Sequence, residues 1–373
     1  MDALMLPLNW QRVRLGDIGK PCMCKRVMKH QTTRYGEIPF YKIGTFGNIA
    51  DAFISKKLFL EYKTKYSFPK KGDILISASG TIGRAVIYDG KPAYFQDSNI
   101  VWIDNDETLV KNDFLFYAYS NVKWNTEHTT ILRLYNDNFR NTLIPLPPLN
   151  EQIAIANILS GLDRYLYALR ALILKKESIK KALSFELLSQ RKRLKGFNQA
   201  WQRVRLGDIA NYLTSNLSAE QITQQGKIKV YDVNNFIGYT DTTFISDKPY
   251  ISIVKDGSVG RVRILPPKTN ILSTMGALIA NHKTTTEFLF YLLSNFDFKN
   301  FTSGSIIPHI YFKDYKEKTI FLPPLNEQIA IANILSALDK EIISLKNKKR
   351  QFENIKKALN HDLMSAKIRV LKQ

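Results

Sequence analysis

The sequence predicts an α/β protein in which two similar globular domains are carried on a pair of long antiparallel coiled-coil helices, the whole forming an internal repeat. Three observations carry this reading. The stretch from Pro147 to Leu159 (Pro-Pro-Leu-Asn-Glu-Gln-Ile-Ala-Ile-Ala-Asn-Ile-Leu) returns unchanged from Pro323 to Leu335. The nonapeptide from Trp10 to Ile18 (Trp-Gln-Arg-Val-Arg-Leu-Gly-Asp-Ile) returns unchanged from Trp201 to Ile209. After each Pro-Pro, apolar residues recur at helical spacing. Such near-identity within one chain marks a duplication.

The order is globular segment, helix, globular segment, helix, with expected bounds 1–149, 150–195, 196–325 and 326–373. The first segment opens on the Trp10 motif. Short β-branched runs at Ile74–Ile76, Ala85–Ile87 and Ile100–Ile103 predict strands. The apolar run from Asp113 predicts a buried helix, and so does its counterpart from Glu287. Between the two segments a common frame survives: Gly36-Glu37-Ile38 answers Gly226-Lys227-Ile228, and Gly80-Thr81-Ile82-Gly83-Arg84 answers Gly257-Ser258-Val259-Gly260-Arg261. Around these landmarks almost everything differs. Gly44-Thr45-Phe46-Gly47-Asn48 becomes Asn234-Asn235-Phe236-Ile237-Gly238, and Arg133 becomes His309.

Each Pro pair stops what precedes it. Asn150 and Asn326 are expected as N-caps, with Glu151 and Glu327 in the first turn, where the helix dipole favours a carboxylate. The seam of the first helix is expected at Ile155, Leu159, Leu162, Leu166, Leu169 and Ile173. The second continues through Ile331, Leu335, Leu338, Ile342, Leu345, Phe352, Ile355, Leu359 and Leu363. Ile179-Lys180-Lys181-Ala182-Leu183 matches Ile355-Lys356-Lys357-Ala358-Leu359 at the same offset, so each helix is expected to run roughly 40 residues, about 60 Å. Ile153, Ile155 and Ile158, with Ile329, Ile331 and Ile334, cover more than one helix face. Some of these isoleucines are expected to meet a globular domain or a partner subunit, and with Asn150, Glu151 and Gln152, and Asn326, Glu327 and Gln328, they are the candidates for a partner-subunit or helix interface.

The 373 residues carry a net charge of +21, which points to a polyanion partner. Residues 150–195 and 326–373 together hold 20 Lys/Arg against 9 Asp/Glu, so a quarter of the chain supplies half the excess. These residues read equally as solvated outer faces of long helices or as a basic rail near a phosphate backbone. No apolar run reaches the roughly 18 residues of a membrane span, and no membrane association is expected. The N-terminus lacks a signal-peptide pattern, so a cytoplasmic location is expected. Cys22 and Cys24, one residue apart, make neither a disulfide framework nor a zinc pattern, and are expected as free thiols.

Catalytic equipment is not expected. There is no Gly-x-x-x-x-Gly-Lys-Ser/Thr loop, no dinucleotide fingerprint and no Asn/Asp-Pro-Pro-Tyr/Phe stretch of an amino-methyltransferase. The five histidines (30, 128, 282, 309 and 361) offer no metal-ligand spacing.

The duplicated nonapeptide, the Gly-x-x-Gly-Arg turns at Gly80 and Gly257, and the Leu-Pro-Pro-Leu-Asn-Glu-Gln starts at Leu146 and Leu322 resemble, over the whole chain, the specificity subunit of type I restriction-modification systems. The resemblance implies two target-recognition domains, each reading one half of a bipartite double-stranded DNA sequence. It also implies helices that space the halves and dock two modification (methyltransferase) subunits, with restriction/translocase subunits completing the complex. Cofactors are then expected only in those partners: S-adenosylmethionine, and ATP with magnesium. Two pseudo-symmetric sites are then expected to meet DNA about one helical turn apart on one face.

Bases are read by Arg/Lys on guanine and Asn/Gln on adenine, whereas hydroxyls mostly hold phosphates. The candidate DNA contacts in the first domain are Lys25, Arg26, Lys42, Thr45, Asn48, Ser79, Thr81, Arg84 and Arg133. In the second they are Lys229, Asn234, Asn235, Ser258, Arg261, Arg263 and His309. Arg84 and Arg261, kept in both copies, read equally as structural, and Tyr41, Tyr231 and Trp124 read as core. Two rival readings stand beside this one. A structural adaptor binding nucleic acid through charge alone predicts steep salt dependence without sequence preference. A cryptic enzyme predicts DNA modification by the chain alone.

Overall fold

A computed structural model describes residues 7–128 and 132–370. The ends of the expected first and last segments, residues 1–6 and 371–373, lie outside the described residues. The chain divides into two compact units, one of residues 1–169 with 348–373, the other of residues 170–347. Each unit therefore joins a globular domain to the leading half of the helix that follows it and the trailing half of the other long helix.

In the first unit the strand Gln11–Arg14 pairs antiparallel with Leu143–Leu146. A four-stranded sheet runs in the order Gly19–Met23, Ile100–Asn105, Ile74–Ser77, Ala85–Ile87. A three-stranded sheet holds Ile38–Tyr41 between Phe53–Ile54 and the parallel strand Tyr94–Phe95. Helix α1 (Asn112–Tyr119) buries Phe114, Leu115 and Ala118. These join Ile74, Ile76, Val101 and Ile103 in one core, which also takes Ile155 and Leu159 of α2 (Leu149–Leu188). The strand runs therefore form as their apolar patterning predicts.

The second unit repeats the plan. Gln202–Arg205 pairs with Thr319–Leu322. The four-stranded order is Ala210–Thr214, Met275–Ala280, Tyr250–Val254, Val262–Leu265, and Ile228–Tyr231 lies between Phe236–Thr240 and Thr269–Ile271. Helix α3 (Thr286–Ser294) buries Phe288, Leu289 and Leu293 against a core that includes Ile331 and Leu335 of α4 (Leu325–Met364). The first domain alone carries an extra helix, Lys56–Lys65, capped by the Ser55 hydroxyl.

Both long helices run 40 residues. They begin one residue before the expected caps: Pro148, not Asn150, offers the first carbonyl, accepting from Glu151 N and Gln152 N at 3.0 Å each. The Asn150 and Asn326 side chains each accept from the next amide instead, at 2.9 Å. Within each unit the helix halves run antiparallel. Tyr165 meets Phe352 with ring centroids 4.7 Å apart in the first unit, and Lys176 meets Glu341 at 2.8 Å in the second. The seam expectation fails at Ile355, which is 49% exposed. The inward stripe there runs Phe352, Lys356, Leu359, Leu363, so a lysine occupies the turn that Ile355 was expected to fill.

The Gly-x-x-Gly-Arg turns need their glycines. Gly83 has φ +82°, and a Cβ there would lie 2.1 Å from Trp124 Nε1. At Gly257, also φ +82°, the added atom would meet nothing. Gly83→Ala is expected to cost about 2–4 kcal/mol and Gly257→Ala only about 1 kcal/mol, a difference that denaturant titration of the two variants measures.

Candidate nucleic-acid interface

The two signature motifs meet each other. In the first unit Trp10 Nε1 donates to Glu151 at 3.0 Å, and Arg369 grips the same carboxylate at 2.7 and 2.9 Å. In the second, Trp201 Nε1 donates to Glu327 at 2.9 Å and Arg193 at 2.6 and 3.2 Å. Both carboxylates are buried. Gln152 donates to the carbonyls of Leu109 and Pro147 and accepts from Lys111 N. Gln328 does the same with Lys283, Pro323 and Thr285 N. Glu151, Gln152, Glu327 and Gln328 thus fasten helix starts to their own domains, and Ile155 and Ile331 sink into the domain cores. The outward side chains are Leu149 and Ile153 (40% and 47% exposed) with Ile158, and Leu325 and Ile329 (46% and 49%); Ile334 is half-buried.

Of the first domain's candidates, Arg26, Ser79 and Arg133 bond to one turn, Gln96 to Asn99. Gln96 accepts from Ile43 N at 2.9 Å, anchoring the loop that carries Lys42, Thr45 and Asn48. Asp97 pairs with Arg26 at 2.8 Å. Arg133 donates to Ser98 O at 2.7 Å and to Asn99 Oδ1 at 3.2 Å, and the buried Ser79 hydroxyl donates to Asn99 Oδ1 at 2.8 Å. Ser98 holds φ +52°, the left-handed region that non-glycine residues rarely occupy, and such outliers gather at functional sites. Arg84 reaches the carbonyl of Phe46 at 2.9 Å, so it braces the 42–48 loop. Lys42 pairs with Asp51 at 2.8 Å, and Thr45 caps Lys42 N. Lys25 lies over the Tyr66 ring, while Asn48 and Thr81 are exposed. Tyr41 stacks on Phe95 and Trp124 packs on Tyr119 and Phe139, both as core residues.

The second domain uses other chemistry on the same frame. His309 Nδ1 lies 2.7 Å from Asp256, in the place where Arg133 meets Ser79 and Asn99. Arg263 donates to Asn234 O at 3.0 Å and covers Tyr231. Asp232 accepts from the amides of Asn234 and Asn235, fixing that turn while both side chains stay exposed. Lys229, Ser258 and Arg261 are also exposed. Sequence reasoning missed the bracing residues Gln96, Asp97, Asn99, Asp232 and Asp256. The signal for the first three was a wholly polar tetrapeptide between two apolar strands; the last two carried none.

The helix charges are partly spent within each unit. Lys176 and Lys346 pair with Glu341 and Glu177, and Lys180 with Asp339. Lys175, Lys181 and Lys357 remain exposed on the outer faces. Among the described residues, no group of three or more His, Cys, Asp or Glu is placed to hold a metal, no helix is long and apolar enough to cross a membrane, and both cysteines are free.

The chain matches the family profile of the type I restriction modification DNA specificity domain twice, over residues 7–181 and 198–354. A putative type I restriction enzyme specificity subunit of Haemophilus influenzae is 64% identical over 152 residues, 40% of this chain and 40% of that one. The MjaVIII specificity subunit of Methanocaldococcus jannaschii is 26% identical over 99% of this chain and 95% of its own, and the putative MjaX specificity subunit is 30% identical over 80% and 79%. The crystal structure of a type I S subunit from M. genitalium superposes with TM-score 0.65 at 20% identity, covering 96% of this chain and 98% of that one.

Proposed function

The chain belongs to the type I restriction-modification DNA specificity family, and from that premise we propose that each recognition domain reads one half of a bipartite duplex target. In this reading the long helices hold the two reading surfaces at a fixed separation and present docking faces to two modification subunits. The chain itself performs no covalent step: methyl transfer from S-adenosylmethionine and ATP-driven chemistry belong to partner subunits.

The observation that carries this is one frame used twice with different loop chemistry. Arg133 with Ser79 and Asn99 in the first domain gives way to His309 with Asp256 in the second. A surface that only held phosphate would need no such exchange; base edges do. The helix starts, identical in sequence, expose Leu149 and Ile153 in one unit and Leu325 and Ile329 in the other, which suits two copies of the same partner.

Selection of bound duplexes from a random pool, with the chain co-purified with its partner subunits, tests the reading. Two short fixed blocks separated by a fixed unspecified gap are expected, with specific binding about 10³-fold or more tighter than non-specific binding. Enrichment without sequence, together with a steep fall of affinity in salt, would hand the function to the charge-driven adaptor.

A further inference from the structure

We propose that Tyr117, Asp163 and Lys356 in the first unit, and Tyr291, Asp339 and Lys180 in the second, are positioning residues. They set the angle of each recognition domain on the helix pair, and so the number of unspecified base pairs between the half-sites. The inference rests on the bipartite reading above.

Each triad ties three chain segments at one carboxylate. Tyr117 OH donates to Asp163 Oδ2 at 2.8 Å, Lys356 Nζ donates to Oδ1 at 2.5 Å, and the same ammonium lies 5.5 Å from the Tyr117 ring centre. Tyr291 OH donates to Asp339 Oδ2 at 2.8 Å, Lys180 Nζ to Oδ1 at 2.5 Å, and the ring centre is 5.7 Å away. The carboxylate comes from the leading half of one long helix, the lysine from the trailing half of the other, and the tyrosine from α1 or α3. Those short helices are buried in the domain cores, Tyr117 and Tyr291 included, so turning either one turns its domain. Burial, with the carboxylate next to each phenol, pushes both tyrosines up from their ordinary pKa. They therefore stay protonated donors.

Neighbouring pairs have changed while the triads have not. Tyr165 against Phe352 in the first unit is Glu341 against Lys176 in the second. Asn360 donates to Ser120 in one unit, and Asn295 donates to Ser184 in the other, with the two residue types on opposite partners. Apolar packing joins each domain to its helices through Ile155, Leu159 and Leu363 in the first unit and Leu187, Ile331 and Leu335 in the second, yet it leaves an opening beside each triad. A cleft of about 410 Å³ opens beside Tyr117 and Lys356, and one of about 360 Å³ beside Tyr291 and Lys180. The side chains of Lys356 and Asp163 stay 25% and 40% exposed, and those of Lys180 and Asp339 29% and 31%, so these ion pairs hold the helices less firmly than well-packed leucines would, and what they add is geometry. Two directional bonds on one carboxylate define an angle that sliding methyl groups do not.

The test is duplex selection with the full complex carrying Tyr117→Phe, Asp163→Asn or Lys356→Met, followed by binding to targets whose gap is lengthened or shortened by one base pair. The expected result is unchanged half-site bases and a preference for the native gap reduced about tenfold, the scale of one charge-assisted hydrogen bond. Leu166→Ala, which loosens the seam without touching the triad, is expected to lower the melting temperature and leave the gap preference intact. Tyr117→Phe, the mildest change, keeps the test readable if Asp163→Asn fails to fold. A fixed gap in the wild type with the same preference in folded triad variants overturns the proposal alone. A wild type that selects no fixed gap overturns the bipartite reading as well.

Discussion

Leu169→Pro is expected to leave both recognition domains folded and to destroy their cooperation on one piece of DNA. Leu169 is 6% exposed in the middle of α2 and is the last residue of the first compact unit before the chain passes into the second. Proline there removes one intrahelical hydrogen bond and clashes with the carbonyl a turn earlier, at a cost of about 3 kcal/mol or more. Residue 169 belongs to neither principal domain core, so the cost falls on the continuity of the helix. Each domain then reads its half-site without the other at a fixed distance. Affinity for the joined target is expected to fall about 10²–10⁴-fold toward that of a single half-site, since the gain from linked binding depends on a matched span. Duplex selection should return the same two blocks with the gap no longer fixed. Fixed-gap binding of unchanged strength would sink the account of α2 as a ruler. Leu169→Ala keeps the helix and is expected to keep the gap.

The architecture was legible because the chain carries its own comparison. Trp10 and Glu151 are 141 residues apart, but each recurs in an identical neighbourhood, and the structure shows why: they are bonded, and the strands beside them pair. The helices were legible from the 3-4 spacing of Leu166, Leu169 and Ile173, all buried. Periodicity misled at Ile355 because it counts apolar side chains, whereas Lys356 is drawn inward by Asp163, a partner 193 residues away. The cap at Asn150 misled for a local reason: a proline carbonyl two residues earlier already supplies the helix's first acceptor.

The reading surface was legible in residue type and not in geometry. Arg84, Arg133 and Ser79 were visible as polar side chains in loops, but nothing in the sequence tells that the first braces Phe46 and the other two converge on Asn99. Those bonds join residues 20 to 38 positions apart. No local pattern encodes them, and the two domains do not share them, so the duplication gave no help where it had helped most elsewhere. His309 shows the same thing: its exchange with Arg133 was visible, its partner Asp256 was not.

Glu327→Ala is expected to be the most damaging single change outside the apolar cores, by about 3–5 kcal/mol. Glu327 is fully buried and is the common acceptor for the Arg193 guanidinium and the Trp201 indole. Truncation strands both donors in a buried site, and Arg193, 30% exposed, loses the carboxylate it is paired with among the described residues, which costs more than the net worth of the pair. Glu327→Gln preserves volume and one acceptor for Trp201, and a smaller loss of about 1–3 kcal/mol is expected. Replacing Arg193 by Met in the Glu327→Gln background should recover part of it, because no unpaired charge is then left. The damage is local in expectation: Glu151 with Arg369 and Trp10 holds the first unit by its own copy of the clamp. Hydrogen exchange on Glu327→Ala should therefore show protection lost across residues 201–322 and kept across 10–146, and duplex selection should retain the first half-site block while losing the second. A change below about 1 kcal/mol, within the range of a solvent-exposed ion pair, would mean that the repeated Pro-Pro-Leu-Asn-Glu-Gln motif is kept for its outward face alone.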